Sequence, residues 1–213
     1  MAIEQEQILN DLICRYPKLK KCKNEIAKSY DLLCEMYQKN GKLLVAGNGG
    51  SAADAEHIVG ELMKGFKKTR DITDDFGRKL KEVDAILGGH LAKKLQRALP
   101  AISLAGHPGL STAYLNDVSP VLGFAQQVHG FGCSGDILLA ISTSGNSQNM
   151  LYAAVVARAK GMQVIGLTGN DGGKLKDYSD ISIIVDEQET YRIQELHLPV
   201  YHALCLMLEE RFF

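Results

Sequence analysis

Apolar positions along the chain follow two different periods. Between residues 3 and 40 they recur at helical spacing, with Ile8, Leu12, Ile26, Tyr30, Leu33 and Met36 on apolar faces. Pro17 breaks and restarts this helix because it lacks an N–H and its ring blocks the carbonyl one turn back; Asn40-Gly41 closes it. Beyond Gly41, short apolar runs alternate with helical stretches: KLLVAG (42–47), AISLAG (101–106), DILLAIST (136–143), QVIGLTG (163–169) and ISIIVD (181–186). Strands that are apolar throughout and separated by helices predict an α/β fold with a parallel sheet covered on both faces. The final stretch from Thr190 reads as a long helix with Ile193, Leu196, Val200, Leu204 and Leu208 inward, kinked at Pro199.

One segment breaks the alternation. Between Phe66 and Pro100 the chain is polar, with helical pieces around Gly88-Gly89, and is expected to be a surface-exposed helical insertion. No internal repeat, low-complexity tract or flexible linker interrupts the rest, so one domain is expected. The 213 residues, 46% hydrophobic, suffice for a substantial core. Lys and Arg number 24 against 25 acids, so no broad positive field favours a nucleic acid or an anionic membrane, and the expected partner is a small molecule. No apolar run approaches the roughly 20 residues that span a bilayer, and the N-terminus lacks a basic region followed by an apolar core; a cytoplasmic location is expected. The five cysteines, Cys14, Cys22, Cys34, Cys133 and Cys205, form no C-x-x-C pair and predict neither a disulfide framework nor a thiolate zinc knuckle.

Two turns carry the candidate chemistry. GNGGSAADAEHIVGEL (47–62) runs from the first strand into a helix and nearly satisfies a dinucleotide fingerprint through Gly47, Gly49 and Ala52. That reading needs a second strand ending in an acid about 20 residues on. Asp71 and Asp74 stand near that distance, but no strand leads into them, and no G-K-[ST] follows the glycines to make a Walker loop. There remains a backbone open to an anion or to sugar hydroxyls at a helix start, or simply a tight turn capped by Ser51. The second turn, Ser142-Thr143-Ser144-Gly145-Asn146-Ser147, follows the strand DILLAI and offers four hydroxyls, a set that rings a phosphate monoester without Lys or Arg. Both turns lie at the carboxyl ends of parallel strands, where open α/β sheets bind ligands.

His57 and Glu61 stand four residues apart on one helical face, and Gln194 and His202 stand two turns apart on the last helix. Nitrogen and oxygen donors without sulfur suit zinc or a similar divalent ion. Each pair also has a plain reading, as an exposed i,i+4 contact or as a core histidine beside a solvated glutamine.

Together, GNGGSAADAEHIVGEL, Asn116-Asp117, AISTSGNS, IGLTGNDGGKL and RIQELHLPVYHALC resemble the sugar isomerase (SIS) domain family, and within it the D-sedoheptulose 7-phosphate (phosphoheptose) isomerases. The resemblance covers nearly the whole chain apart from the insertion. It implies a five-stranded parallel sheet between helices in a single SIS domain over 1–213, with a helical arm at 1–40 and an insertion at 67–99. It implies a homotetramer with active sites at subunit interfaces. Substrate contacts are implied from Asn48, Gly49, Gly50, Ser51, Asn116, Asp117, Ser142, Thr143, Ser144, Ser147 and Gln194. His57, Glu61, Gln194 and His202 correspond to metal-binding positions, with zinc expected, and Glu61 and His202 to the acid/base pair. The implied reaction converts sedoheptulose 7-phosphate to D-glycero-D-manno-heptose 7-phosphate through an enediol or enediolate. Two departures stand out: the 67–99 segment is longer than in the best-known members, and Tyr191 replaces an aspartate common before the R-I-Q triplet. The alternatives are a non-catalytic SIS module that binds a phosphosugar to regulate transcription or bridges proteins, and an isomerase of another phosphosugar.

Overall fold

The computed structural model describes residues 3–213. All five expected strands form: β1 (Leu43–Gly47), β2 (Ala101–Ser103), β3 (Ile137–Ser142), β4 (Gln163–Thr168) and β5 (Ile181–Ile184). They pair in parallel in the order β2-β1-β3-β4-β5, with Leu43 opposite both Ala101 and Ile137, and Leu138 opposite Val164. The arm comprises α1 (Ile3–Arg15), a short 3-10 turn opening on Pro17, and α2 (Lys23–Gln38); residues 1 and 2 of the expected arm lie outside the described residues. The remaining helices are α3 (Gly50–Met63), α4 (Asp74–Val83), α5 (Ala85–Leu91), α6 (Pro108–Asp117), α7 (Gly123–Phe131), α8 (Gln148–Ala159) and α9 (Thr190–Phe212).

Alternate strand residues point to opposite faces, and this divides the core into two layers. Leu43, Val45, Ile137, Leu139, Ile141, Ile165 and Leu167 face α1, α2, α3 and α9. Leu44, Ala46, Leu138, Ala140 and Val164 face α7 and α8, where Ala153, Ala154 and Ala157 let α8 lie close to the sheet. Each fully buried Leu or Ile contributes roughly 1.5–3 kcal/mol, so the sheet is fixed from both sides.

Several boundaries differ from the sequence reading for local reasons. β2 ends three residues early because the chain turns at residues 104–106 and Pro108 then opens α6 at its first helical position. After α2, Asn40 takes the left-handed conformation (φ 59°), while Gly41 sends its N–H back to the Met36 carbonyl. α9 runs unbroken through Pro199. The insertion is the expected exposed helical element: α4 and α5 form a hairpin, with Val83 90% and Ile86 84% exposed.

The neck of that insertion is tied down by a buried ion pair. Arg70 and Glu209 are 0% and 1% exposed, and Arg70 Nε donates to Glu209 Oε1 at 2.8 Å. Arg70 also donates to the carbonyls of Leu62 (2.8 Å) and Glu61 (3.0 Å), the last turn of α3, while Glu209 accepts the N–H groups of Phe66, Lys67 and Lys68. Burial opposes ionisation of Glu209, but the three N–H donors and Arg70 outweigh it and hold the carboxyl below its ordinary range. The guanidinium further stacks on Phe213, 4.5 Å from the ring centre.

Removing one partner of such a pair leaves the other charged and buried. Arg70→Ala is expected to lower the unfolding free energy by about 3–5 kcal/mol in urea titrations; a loss under 1 kcal/mol would show that water reaches Glu209. A second expectation concerns pH. His197 on α9 is fully buried, and burial pushes its pKa down to about 4, against a weaker opposing effect of the Thr168 backbone. The unfolded chain binds a proton near pH 6.5 that the folded chain refuses, so stability is full above that value and falls as pH drops towards 4, by up to about 3 kcal/mol. His197→Met is expected to flatten this limb in denaturation curves recorded at pH 7 and pH 4.5.

Candidate active site

The strand order reverses direction at β1, whose neighbours β2 and β3 lie on opposite sides. In open α/β sheets the crevice at the carboxyl ends of such strands is where ligands bind. Both candidate turns fall there, one after β1 and one after β3. They enclose a cavity of about 300 Å³ whose lining includes Asn48, Gly50, Ser51, Ser142, Thr143 and Ser147. Gly49, also on its rim, caps α3 with φ 55°, and Gly47 lets the helix sit against the strand end: a Cβ there would lie 2.3 Å from the Ser51 carbonyl oxygen. Ser51 is not the cap that the plain reading of this turn requires. It lies inside α3, buried, with its N–H bonded to the Asn48 carbonyl.

In the second turn Ser142 Oγ and Ser147 Oγ lie 3.2 Å apart, and Ser147 precedes α8 without capping it by its side chain. Ser144 turns inward to its own loop, accepting the N–H of Asn146, and does not line the cavity. Gly145 holds the bend at φ 63° against the Gly172 carbonyl, where a Cβ would approach to 2.0 Å. Hydroxyls at two helix N-termini, with no Lys or Arg among the lining residues, suit a phosphate monoester.

His57 and Glu61 on α3 meet His202 on α9. His57 Nε2 stands 3.3 Å from Glu61 Oε1 and 3.4 Å from His202 Nε2, and Lys64 Nζ reaches Glu61 Oε2 at 3.4 Å. The rings of His57, Tyr201 and His202 pack pairwise edge-on at 4.9–5.4 Å, with Phe66 against His202. Burial and the neighbouring His57 lower the His202 pKa, with Glu61 acting the other way. His202 is therefore largely neutral near pH 7 and able to take or give a proton.

The other expected residues lie elsewhere. Gln194 sits with the turns, its amide against Gly50 and on the cavity wall. At 1.5 Å per residue it is about 12 Å along α9 from His202. Asn116 and Asp117 end α6, exposed, with Asn116 Nδ2 donating to Asp117 Oδ1, and neither lines the cavity. Among the described residues, no three His, Cys, Asp or Glu side chains are already arranged to hold a metal. His57, Glu61 and His202 meet instead as two pair contacts. Their donor types nonetheless fit zinc, and the 3.3 and 3.4 Å spacings match the separation of about 3.3 Å between two ligand atoms on a tetrahedral ion with 2.0–2.1 Å bonds. The sequence reading missed two residues behind His57. Tyr201 Oη contacts both Asp54 Oδ1 (3.2 Å) and His57 Nδ1 (3.0 Å). The i,i+3 spacing of Asp54 and His57 was the available signal.

Comparison with known proteins identifies the family and the fold. A family model described as the SIS domain matches residues 15–76 and 82–169. A phosphoheptose isomerase of Nitratiruptor sp. is 40% identical over 182 residues, covering 85% of this chain and 83% of that one. Two solved structures, phosphoheptose isomerases of Neisseria gonorrhoeae and Francisella tularensis, are each 30% identical; they superpose with TM-scores of 0.71 and 0.76 and cover 98% and 92% of this chain, and 92% and 91% of their own. The chain belongs to the SIS domain family, in the branch of the phosphoheptose isomerases.

Proposed function

We propose that the chain is an aldose–ketose isomerase interconverting sedoheptulose 7-phosphate and D-glycero-D-manno-heptose 7-phosphate. The observation that carries this reading is the meeting of Glu61 and His202 around His57, on the two helices whose other ends line the hydroxyl cavity. From the first turn of α3 to His57 is about 10 Å of helix, a span suited to an opened sugar chain with its phosphate at one end and C1–C2 at the other.

In the ketose-to-aldose direction Glu61 takes a proton from C1 while His202 protonates the C2 carbonyl oxygen, giving the enediol. Return of a proton to C2 and loss of the O1 proton complete the aldose. Positioned proton transfer of this kind is worth about 10² to 10⁴ in rate. Zinc or a similar ion held by His57, Glu61 and His202 would supply Lewis-acid polarisation of the carbonyl and stabilise enediolate charge. Ligation and base duty draw on the same Glu61 lone pairs, so the two roles are shared or divided between the carboxylate and His202. Gln194, placed on the cavity wall, is assigned to substrate oxygens. The same proposal includes a cytoplasmic homotetramer with active sites at subunit interfaces, and substrate contacts from Asn116 and Asp117.

A non-catalytic phosphosugar-binding module would have no need of a carboxylate and an imidazole gathered around one histidine, and their presence favours catalysis. The test is incubation of the purified protein with sedoheptulose 7-phosphate, with and without chelator, following the aldose by NMR. Turnover is expected, together with a loss of at least about 100-fold in Glu61→Gln at unchanged circular dichroism and particle size. Wild-type turnover by that variant would remove Glu61 from the mechanism, and turnover only on a different phosphosugar would reassign the substrate.

A further inference from the structure

We infer that Asp54 and Tyr201 are positioning residues that fix the tautomer and orientation of His57, presenting its Nε2 lone pair to the site. The phenol has one hydrogen and two neighbours. Asp54 Oδ1 lies at 3.2 Å and His57 Nδ1 at 3.0 Å. An ionised carboxylate can only accept, so the Tyr201 hydroxyl donates to Asp54 and accepts from His57 Nδ1–H. A neutral imidazole with its proton on Nδ1 carries a lone pair on Nε2, the atom that faces Glu61 Oε1 and His202 Nε2; as Glu61 too can only accept when ionised, the two acceptors face one place, suited to a shared donor. His202 Nε2–H, or a bound cation, then has an acceptor to meet.

Two features argue against a merely structural contact. Asp54 Oδ2 is buried with no hydrogen-bond partner, an arrangement that costs stability. Its other oxygen, Oδ1, accepts from Tyr201. The rings of Tyr201, His57 and His202 also hold one another edge-on, at interplanar angles of 73°, 83° and 86°, so the hydroxyl reaches a ring already restrained by packing. Hydrogen bonds from the second nitrogen of a ligating histidine commonly set its orientation and basicity.

The inference rests on the isomerase reading only for the purpose of the free nitrogen. The tautomer itself is measured on metal-free protein. With ¹⁵N-labelled histidine, and His57 assigned by its loss in His57→Gln, the neutral ring is expected to show a protonated Nδ1 and an unprotonated Nε2. Tyr201→Phe keeps the ring packing and removes the hydroxyl. It is expected to lose that preference and to weaken zinc binding, measured by chelator competition, about 10- to 100-fold. Asp54→Asn, whose side chain keeps the same shape, is expected to shift both readouts in the same direction and serves if Tyr201→Phe fails to fold. A proton on Nε2 in the wild-type protein would overturn the inference, as would variants with the wild-type ¹⁵N pattern and zinc affinity. Absence of sugar-phosphate turnover alongside the expected tautomer would overturn the isomerase reading alone.

Discussion

Everything proposed for this protein depends on the fixed relation of α3 to α9. One helix brings His57 and Glu61, the other Gln194 and His202, and Phe66 of the loop after α3 packs against His202. Their apolar faces, with Ala55, Ile58 and Leu62 on α3 and Ile193, Val200, Leu204 and Leu208 on α9, share one core. The Arg70–Glu209 pair locks the far end. Arg70 caps the carbonyls of Glu61 and Leu62, where a helix end leaves acceptors unsatisfied, and hands its charge to a carboxylate on α9. A buried pair of this kind seldom adds net stability over an apolar pair. Its value here is register: with Arg70 bonded at once to the end of α3 and to Glu209 of α9, Glu61 is held at one height against His202.

The sheet supplies the other end of the site by topology rather than by side chains. Because β1 is flanked by β2 and β3, the chain leaves the sheet in opposite directions on either side of one crevice, and the helices that follow β1 and β3 both aim their first turns into it. An anion there is met by helix N-termini and hydroxyls without a lysine or arginine. A near-neutral chain is compatible with binding a phosphorylated small molecule, since the positive potential needed is local.

Most of this was legible in the sequence. Continuous apolar runs gave all five strands because a sheet buried on both faces needs no alternation, and the glycine and serine turns declared themselves by composition. What remained hidden depends on pairing between distant segments. Arg70 lies in a stretch that reads as polar surface, and only the fold brings it to Glu209, 139 positions away. Asp54 and Tyr201 look like an ordinary helix residue and a core aromatic until α3 meets α9. Ser51 had the composition of an N-cap, but the cap stands two residues earlier, at Gly49, whose positive φ carries the turn by backbone conformation.

Within one protomer the expected site is dispersed. The hydroxyl cavity, the His57–Glu61–His202 group and the Asn116–Asp117 pair occupy three places, and His202 faces a second cavity lined by Leu12, Arg15 and Leu198. Large apolar side chains stand exposed among these places: Met63 on α3, Leu115 and Val118 around the end of α6, and Leu198 on α9, between 40% and 62% exposed. In the assembly proposed above, exposed apolar side chains beside polar functional groups are the surface that a second copy would cover. A second copy laid against α3 and α9 would bury Met63 and Leu198, exclude water from the histidines and bring new polar groups to the rim. Water exclusion strengthens each charge interaction that proton transfer at carbon relies on. A site completed between copies, as proposed above, would account for the dispersion of these groups in the single chain.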